Sequence, residues 1–395
     1  MSRSYFEFFC PVKVVSGKMA LEHIPFELKA VGANRPLIIT DVGVRNAGLL
    51  EYIHAALALT EVRIIAIFDE VPQDSSLVAT RKAAEMYRQY GCDAIIAVGG
   101  GSVIDTSKGV NILVSEGGDD LLPYSGAHNL PRPLKPFFVI PTTSGTGSEV
   151  TLAAVISDTE KNVKLPFISY FLMPQATILD PRMTLTLPMH ITAMTAMDAL
   201  THAIEAWTSL ASNQLSNAFA FQAIRKISKN VLKVMDNPQD VDGRLQLAEA
   251  STMAGIAFSN AMVGLVHAMG HALGAVCHIP HGICMSLFLP YVLEYNLSTN
   301  AERLGELLLP LGGSDVYAAT PKKQRPRQAI AHIYQLRDDL HRRCGLPRTL
   351  VETGKVTRDQ LTNIVEIAIN DGAILFNPKE AGRDDIRSIL NAAWI

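Results

Sequence analysis

Short apolar runs alternate with amphipathic stretches through the first half of the chain. Residues 36–41, 62–68, 93–98 and 137–140 each form an apolar run that predicts a buried strand. Apolar residues recur at helical spacing over 77–90, between the second and third runs. This order predicts a parallel sheet with helices on both faces, and ligands of such sheets bind at the carboxyl ends of the strands.

The pattern changes near residues 187–188. Strand-like runs stop, and Ala, Leu, Ile, Met and His recur at helical spacing over 189–234, 245–277, 329–344 and 358–369. We therefore predict two domains, an α/β domain over 1–187 and an all-helical domain over 188–395. Residues 318–327, which contain two prolines and four basic residues, predict a surface loop.

Composition narrows the class of protein. Hydrophobic residues make up 48% of the 395 residues and charged residues 18%, which is typical of a globular protein rather than a disordered one. The net charge of -3 argues against a general binder of nucleic acid or of membrane surfaces. Five cysteines without a CxxC pair predict reduced thiols, and neither a signal peptide nor a membrane span is recognisable, so we expect a cytoplasmic protein.

Three consecutive glycines follow the third predicted strand. Gly99, Gly100 and Gly101 allow a sharp turn and close approach of a ligand, and Ser102 then begins a predicted helix. The free N–H groups and dipole of a helix N-terminus favour phosphate, so we interpret this loop as a phosphate cradle rather than a plain turn. Its spacing matches neither G-x-G-x-x-G nor a P-loop.

A second polar loop follows the fourth predicted strand. Residues 141–149 include Thr142, Thr143, Ser144 and Thr146, whose hydroxyl groups can bind pyrophosphate, ribose or a nicotinamide amide. Asp41 ends the first predicted strand, where a carboxylate can bind an adenosine ribose and repel a 2′-phosphate. This position favours NAD over NADP, although capping of the next turn is an equally good interpretation of Asp41 alone.

Histidines and one aspartate cluster in the helical half. Asp198 and His202 are four residues apart, as are His267 and His271, so each pair shares a helix face. A lone histidine in an apolar helix is more often a core residue than a ligand, but five of the 11 histidines gather here. One carboxylate with imidazoles suits Fe(II) or Zn(II). Spacing leaves open which histidines are ligands: His267, His271, His278 or His281.

Together these blocks resemble the iron-containing (group III) alcohol dehydrogenase family over nearly the whole chain. The blocks that carry the resemblance are Gly99-Gly100-Gly101-Ser102 with Asp105 and Lys108, Pro141-Thr142-Thr143 through Gly147-Ser148-Glu149, Asp198-Ala199-Leu200-Thr201-His202-Ala203-Ile204-Glu205, and Gly264 through His271 with Pro280-His281-Gly282.

The resemblance implies both the fold and the residue roles. It implies a Rossmann-like, doubly wound α/β domain followed by an all-α domain, the dehydroquinate synthase-like architecture, with the active site between them and a homodimer or larger homo-oligomer. It implies a metal site of Asp198, His202, His267 and His281, with His271 unligated as a proton-relay group. The cofactor-binding residues on this interpretation are Asp41, Gly99, Gly100, Gly101, Ser102, Asp105, Thr142, Thr143, Ser144, Thr146, Thr151 and Lys164.

Three positions depart from the family pattern. Thr195-Ala196 stands where the family usually has Thr-Gly, and Gln73 stands where it often has an asparagine that contacts the cofactor. The run around Lys164 is also unusual. None of these changes removes a proposed metal ligand.

The expected activity is hydride transfer between NAD(H) and a primary alcohol or aldehyde, assisted by Fe(II) or, as the alternative, Zn(II). Phe258, Met262 and Leu265 are expected to line the substrate pocket. The rival interpretations are an enzyme that uses the same scaffold for other chemistry, such as a glycerol-type dehydrogenase or a dehydroquinate-synthase-like lyase, and a non-enzymatic sensor or filament unit. A non-enzymatic protein would be expected to have a broken ligand set.

Overall fold

The computed structural model describes residues 5–161 and 163–395. It contains an α/β unit, Cys10–Leu187, and a helical unit, Pro188–Ile395, with which Tyr5–Phe9 groups. The first residues of the chain, on which the expectation of no signal peptide depends, lie partly outside the described residues.

Among the described residues of the α/β unit, nine strands build two sheets. Six of them form a sheet in the order β1-β9-β6-β4-β2-β3 in which every pairing is parallel, and the other three form a small sheet in the order β5-β8-β7. Their bounds are β1 Lys13–Ser16, β2 Pro36–Ile39, β3 Ala66–Phe68, β4 Ala94–Gly99, β5 Gly126–Ala127, β6 Phe137–Pro141, β7 Ala153–Asp158, β8 Val163–Ile168 and β9 Ala176–Leu179.

Helices cover both faces of the large sheet. They are α1 Ile24–Ala30, α2 Val42–Asn46, α3 Leu50–Leu57, α4 Leu77–Gln89 and α5 Gly101–Glu116. Successive side chains of a strand enter opposite cores, so that Ile95 packs with the α4 and α5 side and Ile96 packs with the α1 and α3 side. The predicted doubly wound parallel sheet is therefore confirmed.

The four predicted strands correspond to β2, β3, β4 and β6, with shorter or shifted ends. The pattern missed β1, which lies at the sheet edge with mostly exposed residues, and β9, whose buried run is only four residues long. It also missed the antiparallel pair β7 and β8, in which exposed and buried residues are mixed.

Nine helices account for the regular α-structure described in the second unit. They are α6 Met189–Thr208, α7 Gln214–Asp236, α8 Val241–Ser259, α9 Leu265–Cys277, α10 His281–Glu306, α11 Leu308–Ala319, α12 Arg325–Cys344, α13 Leu361–Ala368 and α14 Arg383–Ala392. The predicted surface loop at 318–327 is narrower than expected, because α11 and α12 extend into both of its ends. None of the helices described is both long enough and apolar enough to cross a membrane.

Helix α6 is surrounded by protein. It packs against α7, α8 and α10, and its residues from Ala196 to Ala206 are buried on all sides. A helix that is hydrophobic all round belongs in a core, and apolar residues fill most of these positions. Any polar side chain on this stretch is consequently withdrawn from water and needs a partner.

The segment Tyr5–Phe9 packs on the helical unit. The Phe9 N–H donates to Asn260 Oδ1 at 2.7 Å, and Asn260 Nδ2 donates back to the Phe9 carbonyl at 3.2 Å. The rings of Phe8 and Phe219 stack with centroids 5.9 Å apart. These contacts place Tyr5–Phe9 with the second unit, whereas the sequence-based division assigned them to the first domain.

Gly282 permits the close approach of α10 to α6. A Cβ at this position would overlap the main-chain carbonyl of Met194, which cannot move without shifting α6. We expect Gly282→Ala to lower the free energy of unfolding of the helical unit by about 1–3 kcal/mol, the usual cost of overpacking, measured as a fall in Tm.

Gly372→Ala is the matched control. A Cβ at Gly372 meets nothing within 4 Å, so this variant should keep the wild-type Tm. Equal Tm values for the two variants would contradict the close packing at Gly282.

Candidate metal centre and phosphate-binding loops

Four side chains from three helices converge in the helical unit. Asp198 and His202 lie one turn apart on α6, His267 lies on α9, and His281 is the first residue of α10. One ligand atom from each lies within 4.8 Å of the others. The structure thus gathers the whole predicted ligand set in one place.

Three atoms of this group are buried without a hydrogen-bond partner. They are Asp198 Oδ1, His202 Nδ1 and His267 Nε2. Each unpaired buried polar atom lowers the free energy of unfolding by about 1–3 kcal/mol. Three such atoms at one place would therefore destabilise the helical unit unless a ligand binds them. One carboxylate oxygen and imidazole nitrogens are suitable donors for a divalent transition-metal ion, and the residues therefore fit a bound metal.

The electrostatics favour the form of these side chains that binds cations. Burial lowers the pKa of His202 to about 3, and it also lowers the pKa of His267. Burial alone would raise the pKa of Asp198, but the neighbouring His202 and His281 outweigh it and lower that pKa. Near neutral pH the site therefore offers imidazole lone pairs and a carboxylate.

Glu205 orients one of the candidate ligands. Its Oε2 lies 2.5 Å from His267 Nδ1, and its carboxylate also accepts the N–H groups of Gly264 at 2.9 Å and Val266 at 2.7 Å. A proton held on Nδ1 leaves Nε2 free to face Asp198 and His202. Sequence analysis assigned Glu205 no role, although its spacing of seven residues from Asp198 places both on the same helix face.

His271 lies beside the ligand group but is not part of it. Its Nδ1 donates to Asp371 Oδ2 at 2.8 Å, and its ring stacks on that of His281 with centroids 5.5 Å apart. Burial raises the pKa of Asp371, but the hydrogen bond from His271 outweighs this and holds the pKa below its usual value. Sequence analysis missed Asp371, which lies 100 residues from His271 and follows no recognisable motif.

The structure separates the expected pocket residues and the other candidate ligand of the helical unit by their burial and contacts. The ring of Phe258 stacks on His202 with centroids 4.3 Å apart, so it lies beside the centre. Met262 is exposed, and Leu265 is wholly buried in the core, which removes Leu265 from the surface of any pocket. His278 caps the C-terminus of α9 in a left-handed conformation and stays outside the group of four.

The three-glycine segment predicted to bind phosphate, residues 99–101, lies at the carboxyl edge of the large sheet and is called the glycine loop below. Gly99 ends β4, Gly100 is the N-cap of α5 and Gly101 begins that helix. A Cβ on Gly100 would come within 3.2 Å of Thr143, and one on Gly101 within 2.8 Å of Thr146. Glycine at these two positions therefore allows α5 to contact the hydroxyl-rich loop, residues 141–149.

The hydroxyl-rich loop follows β6, the neighbour of β4. Its main chain begins with a hydrogen bond from the Thr142 N–H to the Gly99 carbonyl at 3.1 Å. Thr142 and Ser144 are buried, and Thr146 Oγ1 accepts the Ser148 N–H at 3.2 Å. The two predicted phosphate-binding loops are thus in direct contact at one sheet edge.

The other predicted cofactor residues differ in how their side chains are engaged. Asp41 follows β2 and caps α2 through Val44 N at 2.9 Å, and Ser102 Oγ donates to the carbonyl of Gln73. Lys164, on β8, is exposed and lies 3.5 Å from Asp74. Of the remaining two, Thr151 is buried and Asp105 is half-buried, and both side chains make hydrogen bonds within the unit.

Comparison with known proteins identifies the family. Residues 11–181 match the family described as iron-containing alcohol dehydrogenase, and residues 192–394 match the C-terminal part of the Fe-containing alcohol dehydrogenase family. The chain belongs to the iron-containing alcohol dehydrogenase family. The resemblance inferred from the sequence motifs is confirmed.

Relatives in this family match the chain from end to end. The NAD-dependent methanol dehydrogenase of Bacillus methanolicus is 33% identical over 98% of this chain and 99% of its own. The 1,3-propanediol dehydrogenase of Klebsiella pneumoniae is 34% identical over 100% of both chains. A crystal structure of 1,3-propanediol oxidoreductase superimposes with a TM-score of 0.93 at 34% identity, covering 99% of this chain and 100% of that one.

The contact of Glu205 with His267 generates a prediction about metal affinity. Glu205→Gln keeps the size of the side chain but can place an N–H group against His267 Nδ1, which favours the tautomer that blocks Nε2. We expect metal affinity to fall about 10- to 100-fold, the usual effect of losing such a partner, measured by competition with a chromogenic chelator.

Glu249→Gln is the control, since Glu249 pairs with Lys226 at 2.7 Å in the same unit. It should bind metal as the wild type does. If Glu205→Gln bound metal equally tightly, the orienting role of Glu205 would be wrong.

Proposed function

We propose that this protein is a metal-dependent alcohol dehydrogenase that transfers hydride between NAD(H) and a small primary alcohol or aldehyde. The observation that carries the proposal is the convergence of three unpartnered buried donor atoms, on Asp198, His202 and His267, in a member of the iron-containing alcohol dehydrogenase family.

The residues of each unit support this chemistry separately. When bound, the metal supplies Lewis acidity toward the substrate oxygen, and the nicotinamide supplies the hydride acceptor or donor. Asp198, His202, His267 and His281 would hold the metal. The glycine loop and the hydroxyl-rich loop would bind and orient the dinucleotide, whose phosphates suit the N-terminus of α5.

His271 is proposed to carry the proton. Its Nδ1 is committed to Asp371, so the proton is exchanged at Nε2, and the half-exposed ring gives that nitrogen access to solvent or substrate. Asp371 keeps the ring in one orientation because the carboxylate accepts the Nδ1 proton.

Two observations support the choice of cofactor and metal. Asp41 places a carboxylate after β2, where it would bind the ribose of NAD and repel the 2′-phosphate of NADP. The methanol dehydrogenase relative is named as NAD-dependent. Fe(II) is proposed as the metal on the basis of the family name, with Zn(II) as the alternative that the same donors accept.

The substrate is proposed to be small. Phe258, stacked on His202, narrows the space beside the metal centre. Relatives named for methanol and for 1,3-propanediol are consistent with short alcohols. A cytoplasmic location is proposed because no disulfide bond forms among the five cysteines of the described residues. A homo-oligomer is proposed from family resemblance.

Metal removal tests the function directly. Protein stripped with a chelator should not reduce NAD with short primary alcohols, and Fe(II) or Zn(II) should restore NADH formation, followed at 340 nm. His202→Ala should lose metal and activity together, because it removes a buried donor. His190→Ala, an exposed histidine on the same helix, should keep both. Full turnover by metal-free protein would show the proposal to be wrong.

A second prediction concerns His271 and Asp371. His271→Ala should lower kcat by about 100-fold, a common value for a lost acid–base group, while metal content is unchanged. Asp371→Asn should give a smaller loss, because the ring stays present but is less well oriented. His278→Ala, at the exposed end of the same helix, serves as the control. Wild-type kcat in His271→Ala at every pH would contradict the relay.

A further inference from the structure

Lys108 is a cation enclosed in the α/β unit. It lies on α5 and is 0% exposed. Its Nζ lies within hydrogen-bond distance of oxygens of three residues at the end of the hydroxyl-rich loop and just beyond it. These are the carbonyl and Oγ of Ser148 at 2.8 and 3.1 Å, the carbonyl and Oγ1 of Thr151 at 3.0 and 3.1 Å, and the carbonyl of Ala153 at 2.7 Å. Five acceptors surround an ammonium that has three N–H bonds.

Asp105 lies one turn earlier on the same face of α5. Its Oδ1 accepts the Ser148 hydroxyl at 2.7 Å, and its Oδ2 accepts the Val155 N–H at 2.9 Å. Both carboxylate oxygens are therefore used within the protein. Asp105 and Lys108 bind the same stretch of chain, residues 148–155, from one helix.

The two charges depend on each other. Burial lowers the pKa of Lys108 to about 8, and Asp105 opposes this effect. Burial raises the pKa of Asp105, and Lys108 opposes that in turn. Glu149, which is buried as well, also opposes the fall in the pKa of Lys108. Removing Lys108 would leave these carboxylates without the cation that compensates them inside the α/β unit, which costs far more than keeping the charges together.

The stretch held by this pair is continuous with the hydroxyl-rich loop. At its start, Thr143 and Thr146 pack against Gly100 and Gly101, so the loop contacts α5 there as well. Farther along α5, a Cβ on Gly109 would come within 2.5 Å of Ile156, which shows how closely β7 approaches the helix. The chain from 142 to 156 is thus fixed to α5 at the start, middle and end.

We propose that Asp105 and Lys108 are positioning residues that hold residues 142–155 in the conformation that binds the dinucleotide, and that neither residue touches the cofactor. The proposal rests on the proposed function and reassigns Asp105, which the sequence analysis counted among the cofactor contacts. The loop is ordered before binding, so less conformational freedom is lost when the ligand arrives.

The first test separates binding from catalysis. In Asp105→Asn and Lys108→Met, we expect the Kd for NADH, measured by fluorescence titration, and the KM for NAD to rise about tenfold or more. The value of kcat at saturating NAD and the metal content should stay near those of the wild type. Ser107→Ala is the matched control, because Ser107 is buried on the same helix and bonds only to the Val103 carbonyl.

The second test separates a positioning role from direct contact. Amide hydrogen exchange in cofactor-free protein should be faster over residues 148–155 in Asp105→Asn and Lys108→Met, and unchanged in Ser107→Ala. If NADH affinity fell while exchange in the cofactor-free protein stayed at the wild-type rate, the residues would be direct ligands and the proposal would be overturned. Unchanged NADH affinity in both variants would overturn it as well.

Two further cases need separate treatment, namely a variant that does not fold and a wild-type protein that binds no NADH. Should Lys108→Met not fold, Ser148→Ala removes only the hydroxyl that joins the two charged side chains and should show the same pattern more weakly. If the wild-type protein bound no NADH, the proposed function would fail. That outcome differs from failure of the positioning role, in which the wild type binds NADH and the variants show the same amide hydrogen exchange as the wild type.

Discussion

Withdrawal of α6 from water is the constraint on which the candidate centre depends. Asp198, His202 and Glu205 share one face of a helix that is enclosed by α7, α8 and α10. In such surroundings each polar atom needs a partner. Glu205 accepts three N–H groups from α9 and the residues that lead into it, whereas Asp198 Oδ1 and His202 Nδ1 have no hydrogen-bond partner among the described residues. Burial also keeps the imidazoles of His202 and His267 neutral, so the packing of the helical unit sets both the position and the chemical form of these candidate ligands.

A different constraint places the predicted cofactor-binding loops of the α/β unit. Because the strands are parallel, their carboxyl ends lie at one edge of the sheet, and the glycines after β4 allow the loop after β6 to lie against them. Asp105 and Lys108 add polar contacts that fix residues 148–155 to α5, beside the packing of the apolar core.

Sequence reasoning succeeded where one periodicity or one motif carried the information. Continuous apolar runs predicted the central strands, and the clustering of histidines predicted a metal site. The choice of its four ligands came from the family resemblance and not from spacing. It could not find Asp371, because contact with His271 arises only when the segment after α13 folds back on α9. It counted Asp105 among the cofactor-binding residues, since helix periodicity does not reveal the contacts that Asp105 makes with Ser148 and Val155. The sequence could have indicated Glu205, because its position on the same helix face as Asp198 follows from spacing alone.

The candidate metal ligands of the helical unit have a thermodynamic consequence for the lifetime of the folded protein. Asp198, His267 and His281 are spread over 84 residues of sequence, and they come together only in the folded chain. A metal that binds the folded form and not the unfolded form stabilises it by mass action, in proportion to the logarithm of its free concentration. The protein's resistance to unfolding and proteolysis would then follow metal supply, so a cell short of metal would lose the polypeptide as well as its activity.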